Sequence, residues 1–294
     1  MSYGEHDMRS AQTTFRRASL RRGFIIQVDF TYRCNLRCKH CYFYNWQENR
    51  CELGDADMLA FLRALRAEHD PRICIFLGGE PLLRRELLLK AVELFPVSWV
   101  ATNGTLPLPN FPDNVVLFVS LDGPEEVNDA IRGRGVYRRV RENLKGYEGP
   151  FIITSVLNRL NWREFPRLVE EWPGVPFYVS LHTPSKALGP RDPLVLVGRE
   201  RDECIDMLTK LWEETGQVIA TRAMLESMRH GIPDGPEECP VHKYLPCYDP
   251  CGHLKPTCTM HEADCALCGL HCAHLLRALE MGDEETLALA QRFL

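Results

Sequence analysis

Three cysteines near the start of the 294-residue chain have the spacing of a metal-cluster site. Cys34, Cys38 and Cys41 directly follow an apolar run, so their thiolates can converge only on a loop. An iron–sulfur cluster that only carries electrons takes four thiolates, and three would leave one iron open to a substrate or cofactor. The residues by themselves also allow a zinc site that His40 would complete, or a chance grouping.

A second group of cysteines lies near the end of the chain. These are candidate ligands of one or two auxiliary [4Fe–4S] clusters: Cys239, Cys247, Cys251, Cys258, Cys265, Cys268 and Cys272. The last three are the best candidates to share one cluster with an upstream cysteine. Structural zinc is the alternative, because four histidines are interleaved with them: His242, His253, His261 and His271. Residues 231–261 are rich in proline and glycine, so a bound metal would explain how they become ordered.

Composition limits the class of protein. The chain has 13 cysteines, an odd number, and residues 1–22 contain no apolar stretch typical of a secretion signal. We therefore expect a cytoplasmic protein with reduced thiols rather than a disulfide-stapled secreted one. The net charge of −5 gives no expectation of nucleic-acid binding, and no apolar run is long enough to span a membrane. Cys51, Cys74 and Cys204 stand apart from both groups and are not predicted to be ligands.

Short apolar runs alternate with amphipathic stretches over much of the chain. The predicted strands are 24–30, 72–77, 97–102, 115–121, 151–156 and 177–183. The predicted helices are 56–69, 84–95, 136–148 and 162–172, with Asp55 and Asn161 as the N-caps of the first and the last. This alternation predicts an α/β fold with a parallel sheet, an open partial (β/α)6 TIM-like barrel. Ligands of such a fold lie at the carboxyl ends of the strands.

The alternation ends near residue 190, where prolines interrupt the chain. We expect an N-terminal extension at 1–22 and the barrel at 23–190. A helical linker segment at 191–230 and a cysteine-rich, metal-binding extension at 231–294 would follow.

Four segments follow one another in the order of a known enzyme superfamily. The cysteines of 34–41 precede IFLGGEPLLR at 75–84, ATNGTL at 101–106 and VSLDGPEEVNDAIRGRGVYRRVRENL at 119–144. Together they resemble the radical S-adenosylmethionine (radical SAM) superfamily. Within it, they are similar to the branch that contains the molybdopterin-precursor cyclase and peptide-modifying, SPASM-like enzymes.

This resemblance implies cofactors and a reaction. It implies that Cys34, Cys38 and Cys41 hold a [4Fe–4S] cluster whose open iron chelates the amino and carboxylate groups of S-adenosylmethionine (SAM). Reductive cleavage of SAM would yield a 5′-deoxyadenosyl radical that abstracts a hydrogen atom, so the cofactors carry the difficult chemistry. An external electron donor such as a flavodoxin or ferredoxin would supply the electron.

The two halves of the chain resemble enzymes with different substrates. The barrel motifs imply modification of a peptide or protein. The closing pattern Cys265-x2-Cys268-x3-Cys272 departs from the SPASM pattern and partly resembles the adenosyl-hopene transferase type. It implies a small molecule or an isoprenoid lipid as the alternative substrate. A non-enzymatic, cysteine-rich electron-transfer or zinc-binding interaction protein is the alternative of another class.

Residues after the second and third strands are implied to contact SAM. Gly78 and Gly79 permit close backbone approach where a Cβ would clash. Glu80 is implied to bind the amino group of the methionine part of SAM, and Asn103 is a further candidate. A plain turn is the alternative for the glycine pair.

Residues around the fourth strand and the third cysteine complete the implied SAM site. Ser120 and Asp122 resemble a pair that bonds ribose hydroxyls or lies beside the amino-acid end of SAM. Arg132 resembles an arginine that pairs with the SAM carboxylate, a bidentate contact that lysine makes poorly. His40 takes a usually aromatic position, and Tyr42 is expected near the adenine. From the residues alone, Asp122 could instead form a turn and Arg132 a solvated surface cation.

Overall fold

One parallel sheet organises the molecule. The computed structural model describes residues 14–43, 51–232, 235–256, 258–260 and 262–293. Its strands are β1 (Ile25–Asp29), β2 (Ile73–Leu77), β3 (Val97–Thr102), β4 (Val115–Ser120), β5 (Phe151–Leu157), β6 (Phe177–Leu181) and β7 (Cys247–Tyr248). They lie in the order β6-β5-β4-β3-β2-β1-β7, and every neighbouring pair is parallel. The predicted partial barrel is confirmed, with one more strand than the sequence indicated.

Helices cover the convex face of the sheet and continue into the cysteine-rich part of the chain. They are α1 (Asp55–His69), α2 (Arg85–Val92), α3 (Glu125–Arg132), α4 (Val136–Leu144), α5 (Phe165–Glu171), α6 (Arg199–Thr215), α7 (Arg222–His230), α8 (Pro240–Tyr244), α9 (His271–Met281) and α10 (Glu284–Phe293). In the described part of the chain, each helix is too short or too polar to span a lipid bilayer.

Two predicted helix starts differ from the structure. Gly54, not Asp55, is the N-cap of α1, and Asp55 is the first residue of the helix. Asn161 precedes a short 3-10 turn before α5, and its side chain makes no capping bond. Its amide instead donates to the Asp122 carbonyl at 2.8 Å and to the Val156 carbonyl at 3.0 Å. The residue type that favours a cap also favours other backbone contacts, and the neighbouring strand ends supply them here.

Alternate residues of each strand serve two different surfaces, because successive side chains of a strand point to opposite faces. On β3, Val100 is buried in the main core, whereas Trp99 is only partly buried. Trp99 lines an apolar pocket inside the barrel together with Phe118 of β4 and Leu275 of α9. The helices of the C-terminal segment therefore close one side of the barrel interior.

The C-terminal segment is tied to the sheet by strand pairing and by buried polar contacts. β7 pairs with β1, with Gln27 opposite Cys247. The Gln27 amide donates to Thr259 Oγ1 at 2.7 Å, and the Lys255 ammonium forms an ion pair with the fully buried Asp29. Burial raises the pKa of Asp29 despite the nearby Lys255 charge. The segment is thus an added edge of the barrel rather than a free appendage.

Arg201 on α6 is a buried residue that hydrogen-bonds to the backbone of the same segment. Its guanidinium donates to the carbonyls of Met228, Leu267 and Cys268, at distances between 2.5 and 3.2 Å. Only 4% of the residue is exposed, so Arg201 supplies hydrogen bonds to buried carbonyls, and His274 Nε2 lies 3.2 Å from the same Cys268 carbonyl. It joins the end of α7 to the last cysteines of the chain.

We expect Arg201→Met to lower the free energy of unfolding by about 3 kcal/mol or more, because buried carbonyls lose their donor. The matched control is Arg199→Met on the same helix, whose side chain is 91% exposed and pairs with Glu203. It should change stability by less than about 1 kcal/mol. Denaturant unfolding of anaerobically purified protein, followed by circular dichroism, measures both. Equal losses in the two variants would contradict this role of Arg201.

Candidate cofactor site

The loop after β1 is fastened to the end of β2 through its backbone. Gly79 N donates to Thr31 O and Glu80 N donates to Arg33 O, each at 2.8 Å. A Cβ on Gly78, whose φ is +117°, would lie 2.6 Å from Thr31 O, and one on Gly79 would collide with the Arg33 carbonyl. The glycine pair therefore allows a contact that positions the start of the cysteine loop.

The three cysteines of this loop are not disulfide-bonded, and each is partly buried. Cys41 N donates to Cys38 O at 3.1 Å, and Lys39 N donates to the Ile131 carbonyl at the end of α3 at 3.0 Å. Burial raises the pKa of Cys34, and it raises that of Cys38 to about 11 against the opposing effect of Arg132. A bound metal cluster would lower these pKa values, because a coordinating metal holds cysteine in its thiolate form.

The spacing of these thiols is wider than a zinc site requires. Tetrahedral zinc with Zn–S bonds of about 2.3 Å brings its sulfurs to about 3.8 Å from one another. Within the described residues, the group of three candidate ligands whose atoms all lie within 4.8 Å is Asp249, Cys251 and His253, not the cysteine loop. Three cysteine thiols are also the type of donor that an iron–sulfur cluster takes.

Glu80 is fully buried and links the ends of β2 and β3. Its carboxylate accepts hydrogen bonds from Leu82 N at 3.0 Å, Thr102 Oγ1 at 2.9 Å and Asn103 N at 2.7 Å. Burial raises its pKa to about 7, although these donors lower it. In this structure Glu80 holds Asn103 in place, and its contact with the SAM amino group stays a prediction.

Asn103 lies beside the first cysteine. Its amide nitrogen is 3.8 Å from Cys34 Sγ and donates to Asn35 Oδ1 at 2.8 Å. Its oxygen accepts from Thr105 N at 3.0 Å and from the Thr105 hydroxyl at 2.6 Å. Sequence reasoning had not singled out Asn35 and Thr105, although both stand inside quoted motifs. The network orients an amide N–H toward a thiol that would be a cluster ligand.

A buried charge group lies beside the second cysteine. Asp122 is fully buried, and its Oδ2 is 2.6 Å from both Arg132 Nε and His40 Nε2. Its other oxygen accepts from Val156 N at 2.9 Å. Burial alone would raise the pKa of Asp122, but Arg132 and His40 together bring it below its usual range. Both oxygens are thus engaged by the protein, and the predicted contacts of Asp122 and Arg132 with SAM stay predictions.

Two other predicted SAM contacts have different hydrogen-bonding surroundings. Ser120 ends β4, is partly exposed and pairs in register with Thr154. Tyr42 lies by the C-terminal segment, where its hydroxyl contacts Thr259 and burial raises its pKa well above the usual range. The contacts of Ser120 and Tyr42 with SAM stay predictions.

The structure divides the C-terminal cysteines among several surroundings. Cys239, Cys258 and Cys265 line one pocket, with Lys186 and Glu262 at its wall. Cys268 is buried and interacts electrostatically with Cys239 and Cys258. Cys272 lines the apolar pocket of the barrel interior, where Tyr178 hydrogen-bonds to it, and it also interacts electrostatically with Cys239 and Cys258. Cys247 is buried in β7 and interacts with Cys258 and Cys272.

The prediction that Cys251 is a ligand of an auxiliary cluster is not supported by the structure. Cys251 forms a disulfide with Cys51, so its sulfur is not available to a cluster shared with the other cysteines. The expectation of reduced thiols throughout is also wrong for this pair. A sequence separation of 200 residues concealed it, since only the fold brings the two chain segments together.

The four interleaved histidines are also dispersed. His271 stacks on Tyr178 with ring centroids 3.9 Å apart, and its Nδ1 is 3.1 Å from the Val179 carbonyl. Burial lowers its pKa to about 4. His253 is exposed beside Asp249, and the backbone carbonyl of His242 accepts from Arg22. His261 lies outside the described residues.

Comparison with known proteins identifies the barrel. Residues 28–171 match the family model of the radical SAM superfamily, so this chain carries a radical SAM domain. It is 30% identical over 173 residues to Fe-coproporphyrin III synthase of Methanosarcina barkeri, a match that covers 52% of this chain and 43% of that protein. It is 26% identical over 156 residues to the sporulation killing factor maturation protein SkfB of Bacillus subtilis, covering 49% and 38%.

A solved structure has the same fold. SuiB of Streptococcus suis bound to S-adenosylmethionine superimposes with a TM-score of 0.62 at 16% identity, over 79% of this chain and 60% of that one. SuiB has also been solved with its precursor peptide SuiA. The chain spans between 37% and 52% of the length of three curated relatives that it matches.

We expect Gly79→Ala to reduce SAM cleavage by about 100-fold, because the added Cβ displaces the Arg33 carbonyl and with it the cysteine loop. Gly54→Ala is the matched control, since a Cβ there would only touch an Asp57 oxygen at 3.6 Å. Release of 5′-deoxyadenosine under anaerobic, reducing conditions is measured for both. A Gly79→Ala enzyme as active as Gly54→Ala would show that the loop does not depend on this contact.

Proposed function

We propose that this protein is a radical SAM enzyme that reductively cleaves S-adenosylmethionine at a [4Fe–4S] cluster held by Cys34, Cys38 and Cys41. When bound, the cluster and SAM supply the electron transfer and the hydrogen-abstracting radical. The observation that carries the proposal is the placement of three cysteine thiols on one loop at the carboxyl end of the barrel. Ligands of α/β barrels lie at that end.

The residues around the thiols have binding and orienting roles in this proposal. Arg132 puts a positive charge beside Cys38 and favours its thiolate. The Asn103 amide does the same for Cys34 by donating toward its sulfur. Asp122 holds Arg132 and His40 on one side of the site, where the guanidinium would meet the SAM carboxylate.

We propose further that one auxiliary [4Fe–4S] cluster is bound by Cys239, Cys258, Cys265 and Cys268. The first three line one pocket, and Cys268 lies next to two of them. Cys272 adjoins this group, because it interacts electrostatically with Cys239 and Cys258 while Tyr178 hydrogen-bonds to it from the barrel interior.

Reciprocal cysteine variants test both clusters in one experiment. Cys34/Cys38/Cys41→Ala should abolish 5′-deoxyadenosine formation but retain the iron of the auxiliary cluster. Cys258→Ala should lose the iron of the auxiliary cluster and keep the cluster that cleaves SAM. Cys74→Ala is the control, because Cys74 is buried in β2 within the main core. Iron analysis and electron paramagnetic resonance of anaerobic protein measure the outcome.

Loss of all iron from the triple variant, with its fold intact by circular dichroism, would contradict the auxiliary cluster. SAM cleavage by the triple variant would contradict the proposed role of the cysteine loop.

We propose a peptide or protein as the substrate, modified by hydrogen abstraction. The support is similarity: the relative SkfB is named for maturation of a sporulation killing factor, and SuiB shares this fold and binds a precursor peptide. A small molecule or isoprenoid lipid is the second candidate, because the relative Fe-coproporphyrin III synthase is named for a small-molecule product and the closing Cys265-x2-Cys268-x3-Cys272 pattern partly resembles the adenosyl-hopene transferase type.

Deuterium transfer distinguishes these substrates. The enzyme is incubated with SAM and, in separate reactions, with deuterated peptides encoded near its gene or with deuterated isoprenoid lipids. We expect deuterium in 5′-deoxyadenosine only from peptides, as read by mass spectrometry, because the radical takes the atom directly from its substrate. Labelling from the lipids alone would replace the peptide proposal by the second candidate.

A further inference from the structure

A compact group of potential metal ligands lies away from both proposed clusters. It is formed by the turn Asp249–His253, which follows β7, and by Cys51, which precedes α1. One ligand atom each of Asp249, Cys251 and His253 lies within 4.8 Å of the other two. Cys51 is bonded to Cys251, so its sulfur adjoins the same group. Four donors of the types that zinc accepts therefore meet at one place.

The backbone holds these donors together independently of the disulfide. Leu53 N donates to Pro250 O at 2.9 Å and joins the two chain segments directly. Within the turn, Asp249 Oδ1 accepts from Cys251 N at 2.9 Å and from His253 N at 2.8 Å. Asp249 Oδ2 is 3.4 Å from His253 Nδ1, so carboxylate and imidazole already face each other.

We propose that Cys51, Asp249, Cys251 and His253 form a Zn²⁺ site when the two cysteines are reduced. Two thiolates, one imidazole and one carboxylate make a tetrahedral S2NO set, which is a closed structural site. The disulfide is then the oxidised form of the same site. A dithiol reductant gives two electrons and two protons to the S–S bond, and Zn²⁺ displaces two protons from the resulting thiols.

Zinc and iron–sulfur clusters prefer different ligands, and this difference distinguishes the proposed site from the two proposed cluster sites. Its donors crowd within a distance suited to one ion, whereas the three thiols of the cysteine loop are spaced more widely. Borderline zinc accepts nitrogen and oxygen beside sulfur, while iron–sulfur clusters are held chiefly by thiolates. A carboxylate and an imidazole beside two cysteines therefore select a single zinc ion.

Zinc here would join the C-terminal segment to the cysteine loop. Glu52, the neighbour of Cys51, accepts hydrogen bonds from the Thr31 hydroxyl at 2.9 Å and from Tyr32 N at 2.6 Å. Those residues begin the loop that carries Cys34. The ion would replace the disulfide as a link between β7 and this loop under the reducing conditions that SAM cleavage requires.

Zinc binding to the iron-loaded full-length protein tests the site. Protein with its iron clusters filled is reduced anaerobically with dithiothreitol, desalted and titrated with Zn²⁺ against a chromophoric chelator. We expect one zinc per chain, and we expect Cys51→Ser and His253→Ala each to weaken binding by more than about 100-fold with iron content unchanged. His242→Ala and Cys204→Ser are the controls and should bind zinc as the unaltered protein does.

Two further measurements keep the test decisive. Co²⁺ in place of zinc should give sulfur-to-cobalt charge-transfer bands that disappear in Cys51→Ser. Anaerobic alkylation followed by mass spectrometry should label Cys51 and Cys251 in reduced, zinc-free protein and leave them protected when zinc is bound. Zinc stoichiometry unchanged in both ligand variants, or no zinc uptake while the pair is reduced, would overturn the proposal.

Discussion

The backbone contact between the cysteine loop and the end of β2 is the constraint on which the site depends. Thr31 O and Arg33 O accept hydrogen bonds from Gly79 N and Glu80 N, and a Cβ at either glycine would meet one of those carbonyls. Because the two loops contact each other through main-chain atoms, the end of β2 fixes the position of the three thiols above the sheet. The sheet thereby sets where a cofactor would lie.

Two buried carboxylates on either side of this contact have pKa values that are shifted in opposite directions. Glu80 has neutral donors around it, and burial raises its pKa to about 7. Asp122 is equally buried, but Arg132 and His40 bring its pKa below the usual range. The difference is one of partners rather than of burial. Glu80 therefore acts as a link between strand ends, while Asp122 holds two basic side chains beside the second cysteine.

The cysteine-rich segment is part of the barrel architecture. β7 extends the sheet beyond β1, and Arg201 fastens the last cysteines to the end of α7. Lys255 brings its charge to Asp29 inside the barrel. A metal bound in this segment would therefore be held by a framework that is already attached to the sheet.

The amino-acid sequence by itself determined the sheet and the motifs. The six predicted strands agree with the structure to within two residues at each end, because apolar, β-branched runs between turn residues are a local signal. The cysteine loop and the Gly-Gly-Glu segment were likewise predicted from the spacing of neighbouring residues. Only the tertiary structure decided that Cys51 meets Cys251, that His40 meets Asp122, and that the two residues of β7 join the sheet. These contacts join residues far apart in the chain, and no local pattern encodes a partner that chain folding alone brings near.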